Sequence, residues 1–415
     1  MITITRRQAR RLRVAFRRHP LGIAHKGNVP PLVLRADPGA GLRVRHHLPG
    51  FALECLLAGA YRPEESIAIP LDALADFEGR DDSPVVLEAA DSGRTVARWD
   101  DRGIPQSKEY PAVDLGALPP FPEAPPAFES TAIGLLDALA EAFATTDEGS
   151  TRYALGCIQL KGTTGEVVAT DGRQILVQGG FRLPWDGDLL VRRTPLFASR
   201  GLPRDRPVSV GRTDAHVAIR AGEWTAWLGI RADGRFPRVD QVLPAERGAA
   251  TRLRLDPRDA EFLHDALGRL PGGEAPNAPV TLDLNGRVAV RARDGAEGRV
   301  TELVLGRSRY DGEPVRLNTS RHFLARALGF GFAEVQVLGP DDPVACRDGL
   351  RSYLWQPLSK ESAIEPDDDA TRIESTHPGA SPAPADKPED ENVTRQEDPK
   401  GRRKRSRGGN TKLSQ

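Results

Sequence analysis

Three cysteines in 415 residues, Cys55, Cys157 and Cys346, are odd in number and isolated, so they build neither a disulfide framework nor a metal cluster. Each reads as a small buried apolar residue, and redox chemistry is not expected. No apolar run approaches the roughly 20 residues that a membrane helix needs. The N-terminus carries Arg6, Arg7, Arg10 and Arg11 with no apolar segment behind them, so it is not a signal peptide and the chain is expected to stay in the cytoplasm. There is no Gly-x-x-x-x-Gly-Lys-Ser/Thr phosphate loop, no Gly-x-Ser-x-Gly elbow and no His-Glu-x-x-His. His46-His47 stand without a neighbouring carboxylate or cysteine and read as a surface turn, and the acid pairs Asp81-Asp82 and Asp341-Asp342 read as turns. Nothing would activate a nucleophile. No enzyme activity, metal or cofactor is expected.

Net charge is also lacking, with 58 basic and 58 acidic residues, but the balance hides segregation. Residues 1–20 hold seven arginines and no acid. Residues 362–399 are acidic, with Glu365, Asp367, Asp368 and Asp369, and residues 400–415 carry Lys400, Arg402, Arg403, Lys404, Arg405, Arg407 and Lys412 without an acid. Charge therefore acts locally, and the basic end reads either as a tethered phosphate contact or as a segment that folds back on Asp367, Asp368 and Asp369.

What the chain does have is length for two to four domains and an internal repeat. An extended approach to a helical pattern recurs at Ile2-Thr3-Ile4-Thr5, Ala127-Phe128-Glu129-Ser130 and Leu253-Arg254-Leu255-Asp256, offsets of about 125 residues. A strand end running into a second short helix recurs at Ile69-Pro70-Leu71-Asp72, Val191-Arg192-Arg193-Thr194-Pro195 and Leu317-Asn318-Thr319-Ser320-Arg321. Tyr110-Pro111-Ala112-Val113-Asp114 is echoed by Phe236-Pro237-Arg238-Val239-Asp240. With turn signals such as Asp171-Gly172, Asn285-Gly286 and Asp311-Gly312, each repeat reads as α+β, its helices packed on one face of a mostly antiparallel sheet. Residues 119–126, rich in proline, mark the first linker and residues 245–250 the second. The expected domains are 1–125, 126–248 and 249–358, followed by a disordered acidic-then-basic tail over 359–415.

The segment Val167-Val168-Ala169-Thr170-Asp171-Gly172-Arg173-Gln174-Ile175-Leu176 predicts a hairpin, two apolar runs around an Asp-Gly turn. With Tyr153-Ala154-Leu155-Gly156-Cys157 upstream and Asp233-Gly234-Arg235-Phe236-Pro237 downstream, it resembles the middle domain of the bacterial DNA polymerase III beta sliding clamps. That family has an Arg-Tyr-x-Leu strand, an Ala-Thr-Asp-Gly turn and an Asp-Gly-Arg-Phe/Tyr-Pro segment in this order. The resemblance spans residues 1–358 and is weakest in the first repeat, where Val44-Arg45-His46-His47 replaces the family's Ala-Thr-Asp turn.

The resemblance implies a head-to-tail homodimeric ring of six similar domains that encircles duplex DNA and tethers a polymerase, catalysing nothing itself. Its partners would be double-stranded DNA, held without regard to sequence, and DNA polymerase, clamp loader and repair proteins bound through short peptides, with no membrane partner. A ring that slides must neutralise phosphates without reading bases. In a helix over residues 5–18, the 3.6-residue wheel puts Ala9, Leu12 and Phe16 on one face and Arg7, Arg10, Arg11 and Arg18 opposite, with no acid among them. Lys26, Arg152, Tyr153, Arg192 and Arg193 fall where the family touches DNA. Asp137 and Glu141 in the first helix of the second repeat, and Asp259, Glu261 and Asp265 in that of the third, make those helices acidic; Arg192, Arg193 and Arg200 in the second helix of the second repeat, and Arg321 and Arg326 in that of the third, are expected to compensate.

Carried over position by position, Leu155, Thr170, Gly172, Arg173, Ile175, Pro244, Leu354, Pro357 and Leu358 would line a groove for an extended peptide with Leu and Phe anchors. The same apolar residues also fit an ordinary core between domains. The chain departs from the family in having Gln174 after Arg173 and Trp355-Gln356 where methionine is frequent, which bears on peptide preference. The acidic helices and divergent first repeat leave open a second reading, a clamp-fold scaffold for proteins that does not encircle DNA.

Overall fold

The structure, a computed structural model, describes residues 1–23, 29–61, 64–90, 94–111, 113–147, 154–232, 234–242 and 249–376, which belong to one compact body. The element order runs through nearly the same sequence three times, with a 3-10 turn in place of the second helix in the second repeat and one extra strand, Arg309–Gly312, in the third. The first repeat holds β1 (Ile2–Thr5), α1 (Arg6–Ala15), β2 (Leu32–Asp37), β3 (Gly41–Leu48), β4 (Phe51–Leu57), β5 (Glu65–Ile69), α2 (Leu74–Phe77), β6 (Pro84–Ala89), β7 (Thr95–Asp101) and β8 (Ile104–Tyr110). The second holds β9 (Glu129–Thr131), α3 (Leu135–Thr145), β10 (Cys157–Lys161), β11 (Glu166–Thr170), β12 (Gln174–Gln178), β13 (Asp188–Arg192), a 3-10 turn (Pro195–Ala198), β14 (Val208–Arg212), β15 (His216–Ala221) and β16 (Trp224–Gly229). The third holds β17 (Thr251–Arg254), α4 (Pro257–Leu267), β18 (Pro279–Asn285), β19 (Arg287–Ala292), β20 (Thr301–Val304), β21 (Arg309–Gly312), β22 (Val315–Ser320), α5 (Arg321–Gly329), β23 (Glu334–Val337), β24 (Val344–Asp348) and β25 (Arg351–Trp355).

Sheets run across the repeat boundaries. An eight-stranded sheet, β5-β2-β3-β4-β16-β15-β14-β9, takes four strands from each of the first two repeats, and a nine-stranded sheet, β13-β10-β11-β12-β25-β24-β23-β17-β21, joins the second to the third. The joints are antiparallel: Trp224 faces Cys55 and Leu228 faces Phe51 in one, Gln174 faces Trp355 and Gln178 faces Arg351 in the other. The proline-rich residues 119–126 lie against the first joint, where the Trp227 indole donates to Glu123 O at 3.2 Å and Phe121 meets Trp227 edge-on at 5.0 Å.

Local chemistry explains α1. Thr5 caps it, its hydroxyl accepting from Gln8 N at 3.1 Å while the Gln8 carboxamide accepts from Thr5 N at 2.8 Å. Ala9, Leu12 and Phe16 are buried as expected, and Phe16 reaches into the second repeat to pack on Trp224 at 5.4 Å. The helix ends at Ala15, short of the expected Arg18, because the chain leaves helical geometry at Phe16 and turns towards Pro20 and Gly22, whose φ is +69°.

Two further expectations are corrected. His46 is no surface turn: it lies in β3, 1% exposed, at an inward position of the alternation Leu42, Val44, His46. Its Nδ1 sits 3.3 Å from Pro31 O, and burial pushes its pKa down to about 4 against that contact. The boundary of the expected disordered tail at Ser359 also moves. Beyond β25 the chain buries Ile364 and forms β26 (Thr371–Glu374), which pairs parallel with β20 and completes the sheet β22-β18-β19-β20-β26. Residues 377–415 lie outside the described residues.

Candidate partner groove and nucleic-acid face

The groove forms at the second joint from three walls. The first is the turn between β11 and β12. Gly172 has a φ of +90°, which a residue without Cβ adopts at no steric cost. Thr170 Oγ1 donates to Gln174 O at 2.6 Å and accepts from Gly172 N at 3.0 Å, while Asp171 Oδ1 accepts from the N–H groups of Arg173 and Gln174 at 2.8 and 2.9 Å. The turn is thus fixed by its own side chains. Arg173 donates to Asn277 Oδ1 at 2.7 Å, and Gln174 Oε1 accepts from Arg326 at 2.6 Å and from the Tyr353 hydroxyl, tying the hairpin to the third repeat.

The second wall is Leu354, Trp355 and Gln356 with Pro343, and the third is Pro237, Arg238, Val239 and Val242. Together they enclose about 160 Å³. Val168, Ile175, Val177 and Val239 pack as a small cluster with Phe236 against it. Val242 stands at the rim with 51% of its surface in solvent, an apolar side chain left uncovered.

Of the expected groove residues, Thr170, Gly172, Arg173, Ile175 and Leu354 line this space. Leu155 packs behind the turn, its Cδ1 3.7 Å from where a Cβ on Gly172 would sit. Pro357 is buried and Leu358 half-buried, its N–H donating to Asn318 O at 2.8 Å on β22; neither is among the residues around this space. Pro244 lies outside the described residues. The sequence points to the segment from Asp233 to Pro244 as part of the pocket but names only Pro244 from it, whereas the structure puts Pro237, Arg238, Val239 and Val242 in the wall.

The arginine face is only partly as expected. Arg7, Arg10 and Arg11 are exposed and Arg18 half-exposed, but acids from other elements meet three of them: Arg7 pairs with Asp82 at 3.2 Å, Arg11 with Glu223 at 3.1 Å and Arg18 with Asp72 at 3.4 Å. No ion pair to Arg10 is found among the described residues. Arg192 and Arg193 do not sit in a second helix; Arg192 ends β13 and Arg193 follows it, ahead of the 3-10 turn. Both line a cleft of about 300 Å³ with Leu21 and Ile23, just beyond α1, and the Arg193 guanidinium lies 4.1 Å over the Phe143 ring. Lys26, Arg152 and Tyr153 lie outside the described residues.

The compensating cations of the third repeat are structural. Arg321 is 2% exposed and donates to the carbonyls of Leu267, Leu270, Pro271 and Ala278, closing the end of α4. Arg326 is spent on Gln174. Two of the acids are structural as well: Asp259 is buried and accepts from Arg307 N and Ser308 N, and Glu141 pairs with Arg351. No group of His, Cys, Asp and Glu able to hold a metal occurs among the described residues, and no helix there is long and apolar enough to cross a membrane.

No family model matches the sequence, and neither does any curated protein. Solved structures do. DNA polymerase III subunit beta of Pseudomonas aeruginosa superposes with a TM-score of 0.69 at 18% identity, over 86% of this chain and 99% of that one. The DNA polymerase sliding clamp of Bacillus subtilis gives 0.68 at 16%, over 86% and 98%, and the DNA polymerase III beta subunit of Thermotoga maritima 0.67 at 12%, over 86% and 99%. This is the sliding-clamp fold. In that fold the groove and the arginine face are features of a chain that shares 12–18% of its residues with these structures, and the uncovered share of this chain is about the length that follows β25.

Proposed function

We propose that the chain is a DNA sliding clamp, a cytoplasmic homodimeric ring that encircles duplex DNA without reading its sequence and tethers a polymerase, clamp loader or repair proteins by short peptides. It would be a non-catalytic accessory subunit. The observation that carries this reading is the groove at the second joint, built around the Thr170-Asp171-Gly172 turn within the sliding-clamp fold. An apolar slot with polar edges and an exposed apolar rim suits an extended peptide with hydrophobic anchors. Arg10, Arg192 and Arg193 supply charge for a loose, base-independent grip on phosphates.

The scaffold reading draws support from the acids opposite Arg7, Arg11 and Arg18, which lower the charge available to DNA. Retention on DNA separates the two. After incubation with a clamp loader, a sliding ring stays on nicked circular DNA and runs off the linearised molecule. Equal loss from both, with peptide binding intact, selects the scaffold.

A further inference from the structure

The joints between repeats follow a rule. In each repeat the third strand after the first helix is an edge: β4, β12 and β20. The last strand is the other edge: β8, β16 and β25. β4 takes β16 of the next repeat and β12 takes β25, five antiparallel pairs each time. The same rule leaves β20 at one end of the chain and β8 at the other without a joint, each fitted to the other's place on a second copy. β8 is an open edge. Six of its seven residues are exposed, Ile104 by 62%, and among the described residues it pairs only with β7. Past the Arg102-Gly103 turn, the alternation of the ladder directs the N–H groups of Ser107 and Glu109 outward, ready for a strand.

β20, in contrast, is covered by the chain's own β26. The clamp structures are spanned almost whole by 86% of this chain, and the share left over matches in length the stretch after β25. β26 is short, pairs parallel where both joints are antiparallel, and has all four residues exposed. Backbone bonds hold it at both ends, Thr371 N to Val300 O at 2.8 Å and Ser375 N to Val304 O at 2.9 Å, and the side-chain contacts are Arg372 Nε to Glu302 Oε1 at 2.9 Å, Arg299 Nε to Asp369 O at 3.1 Å, Gly306 N to Ser375 Oγ at 3.1 Å and an Arg307 nitrogen to Ser375 O at 2.9 Å, none of them from the apolar core. Removing it would not orphan the buried Glu302, which keeps Arg287 and Arg291 at 2.8 and 2.7 Å.

We propose that β26 is a removable cap on the edge that receives β8 of a second copy, so that head-to-tail association proceeds only when the cap lifts. The inference rests on the ring reading, since a second copy is its occupant. The capped state protects an otherwise adhesive edge, and it weakens association by the fraction of time the edge is closed.

Sedimentation velocity on the native chain and three variants of it tests this. In an opened variant, Ile373→Pro removes an N–H from the β26 ladder and Arg372→Glu sets a like charge against Glu302. In a locked variant, Thr301→Cys and Thr371→Cys, which face each other in the register, form a disulfide, the native cysteines being buried. The opened protein is expected to dimerise at least 10-fold more tightly than the native chain, and the locked protein at least 10-fold more weakly than after reduction. Adding Ser107→Pro to the opened protein should abolish the gain. Equal Kd for all forms, or an opened dimer indifferent to Ser107→Pro, overturns the cap. An opened dimer that responds to Ser107→Pro yet is not retained on circular DNA upholds the cap and rejects the ring reading.

Discussion

Arg351 on β25 grips Glu141 on α3, one guanidinium nitrogen lying 3.0 and 2.9 Å from the two carboxylate oxygens, and the same nitrogen donates to Phe330 O at 2.8 Å. The guanidinium also lies 4.8 Å over the Phe332 ring. One side chain thus fastens the helix of the second repeat to the last strand of the third. Burial pushes the Glu141 pKa up and Arg351 opposes it. Arg351→Ala should cost about 2 kcal/mol in chemical denaturation, leaving a half-buried carboxylate unpaired, and Glu141→Gln about 1 kcal/mol because the hydrogen bonds survive. Equal losses would show that charge contributes nothing to the joint.

Val242 offers a clean probe of the groove. Being half in solvent it carries little core, so Val242→Glu should leave the denaturation midpoint in place. Binding of a fluorescent peptide with Leu and Phe anchors should weaken at least 10-fold. Leu354, 2% exposed, behaves differently: Leu354→Ala should destabilise the fold by about 2–5 kcal/mol. Undiminished binding to the Val242→Glu protein would remove the groove reading.

Arg10 and Arg11 should separate in DNA binding. Arg10→Glu removes a cation with no acid against it among the described residues and should lower the slope of log affinity against log salt by about one. Arg11→Glu should change the slope less, because Glu223 already shares that charge. Identical slopes for the two variants would show that the ion pair opens on DNA.

His46 makes stability depend on pH. Its pKa falls from 6.5 in the unfolded chain to about 4 in the fold, so the unfolded state binds the proton first as pH drops. The contribution is complete above pH 6.5 and lost as pH falls through about 4, a loss of about 3 kcal/mol. His47 and His216 are pushed the same way by burial, so His46→Met should reduce this slope without abolishing it. An unchanged slope in denaturation curves between pH 7 and 4 would mean that His46 takes up its proton as readily in the fold as in the unfolded chain.

Features set by a few adjacent residues were legible in the sequence. The Thr170-Asp171-Gly172 turn is held by its own side chains, and the α1 cap by Thr5 and Gln8. His46 was misread because its polarity was weighed above its place in the alternation with Leu42 and Val44. Arg321 and Asp259 were read as surface charges because their partners, the carbonyl end of α4 and the backbone of Arg307 and Ser308, lie about 50 residues away in the chain. β26 was read as disordered since Thr371-Arg372-Ile373-Glu374 cannot build a core; it needs only an edge, and β20 supplies one. For the far wall of the groove, the segment ending at Pro244 was legible through the family likeness, but not which of its side chains face the hairpin, since that depends on how a distant segment folds back.

The sheet shared by the first two repeats has a bearing on how this molecule can be taken apart. Its β4–β16 ladder, not residues 119–126, holds the two sides together, so a protease cut within those residues would sever the chain and leave the sheet standing. The products would be complementing fragments, each recognising the other's raw strand, and by the same token two intact molecules could trade repeats across that ladder. What a linker marks here is a place where the polypeptide crosses a joint, not a place where the protein comes apart.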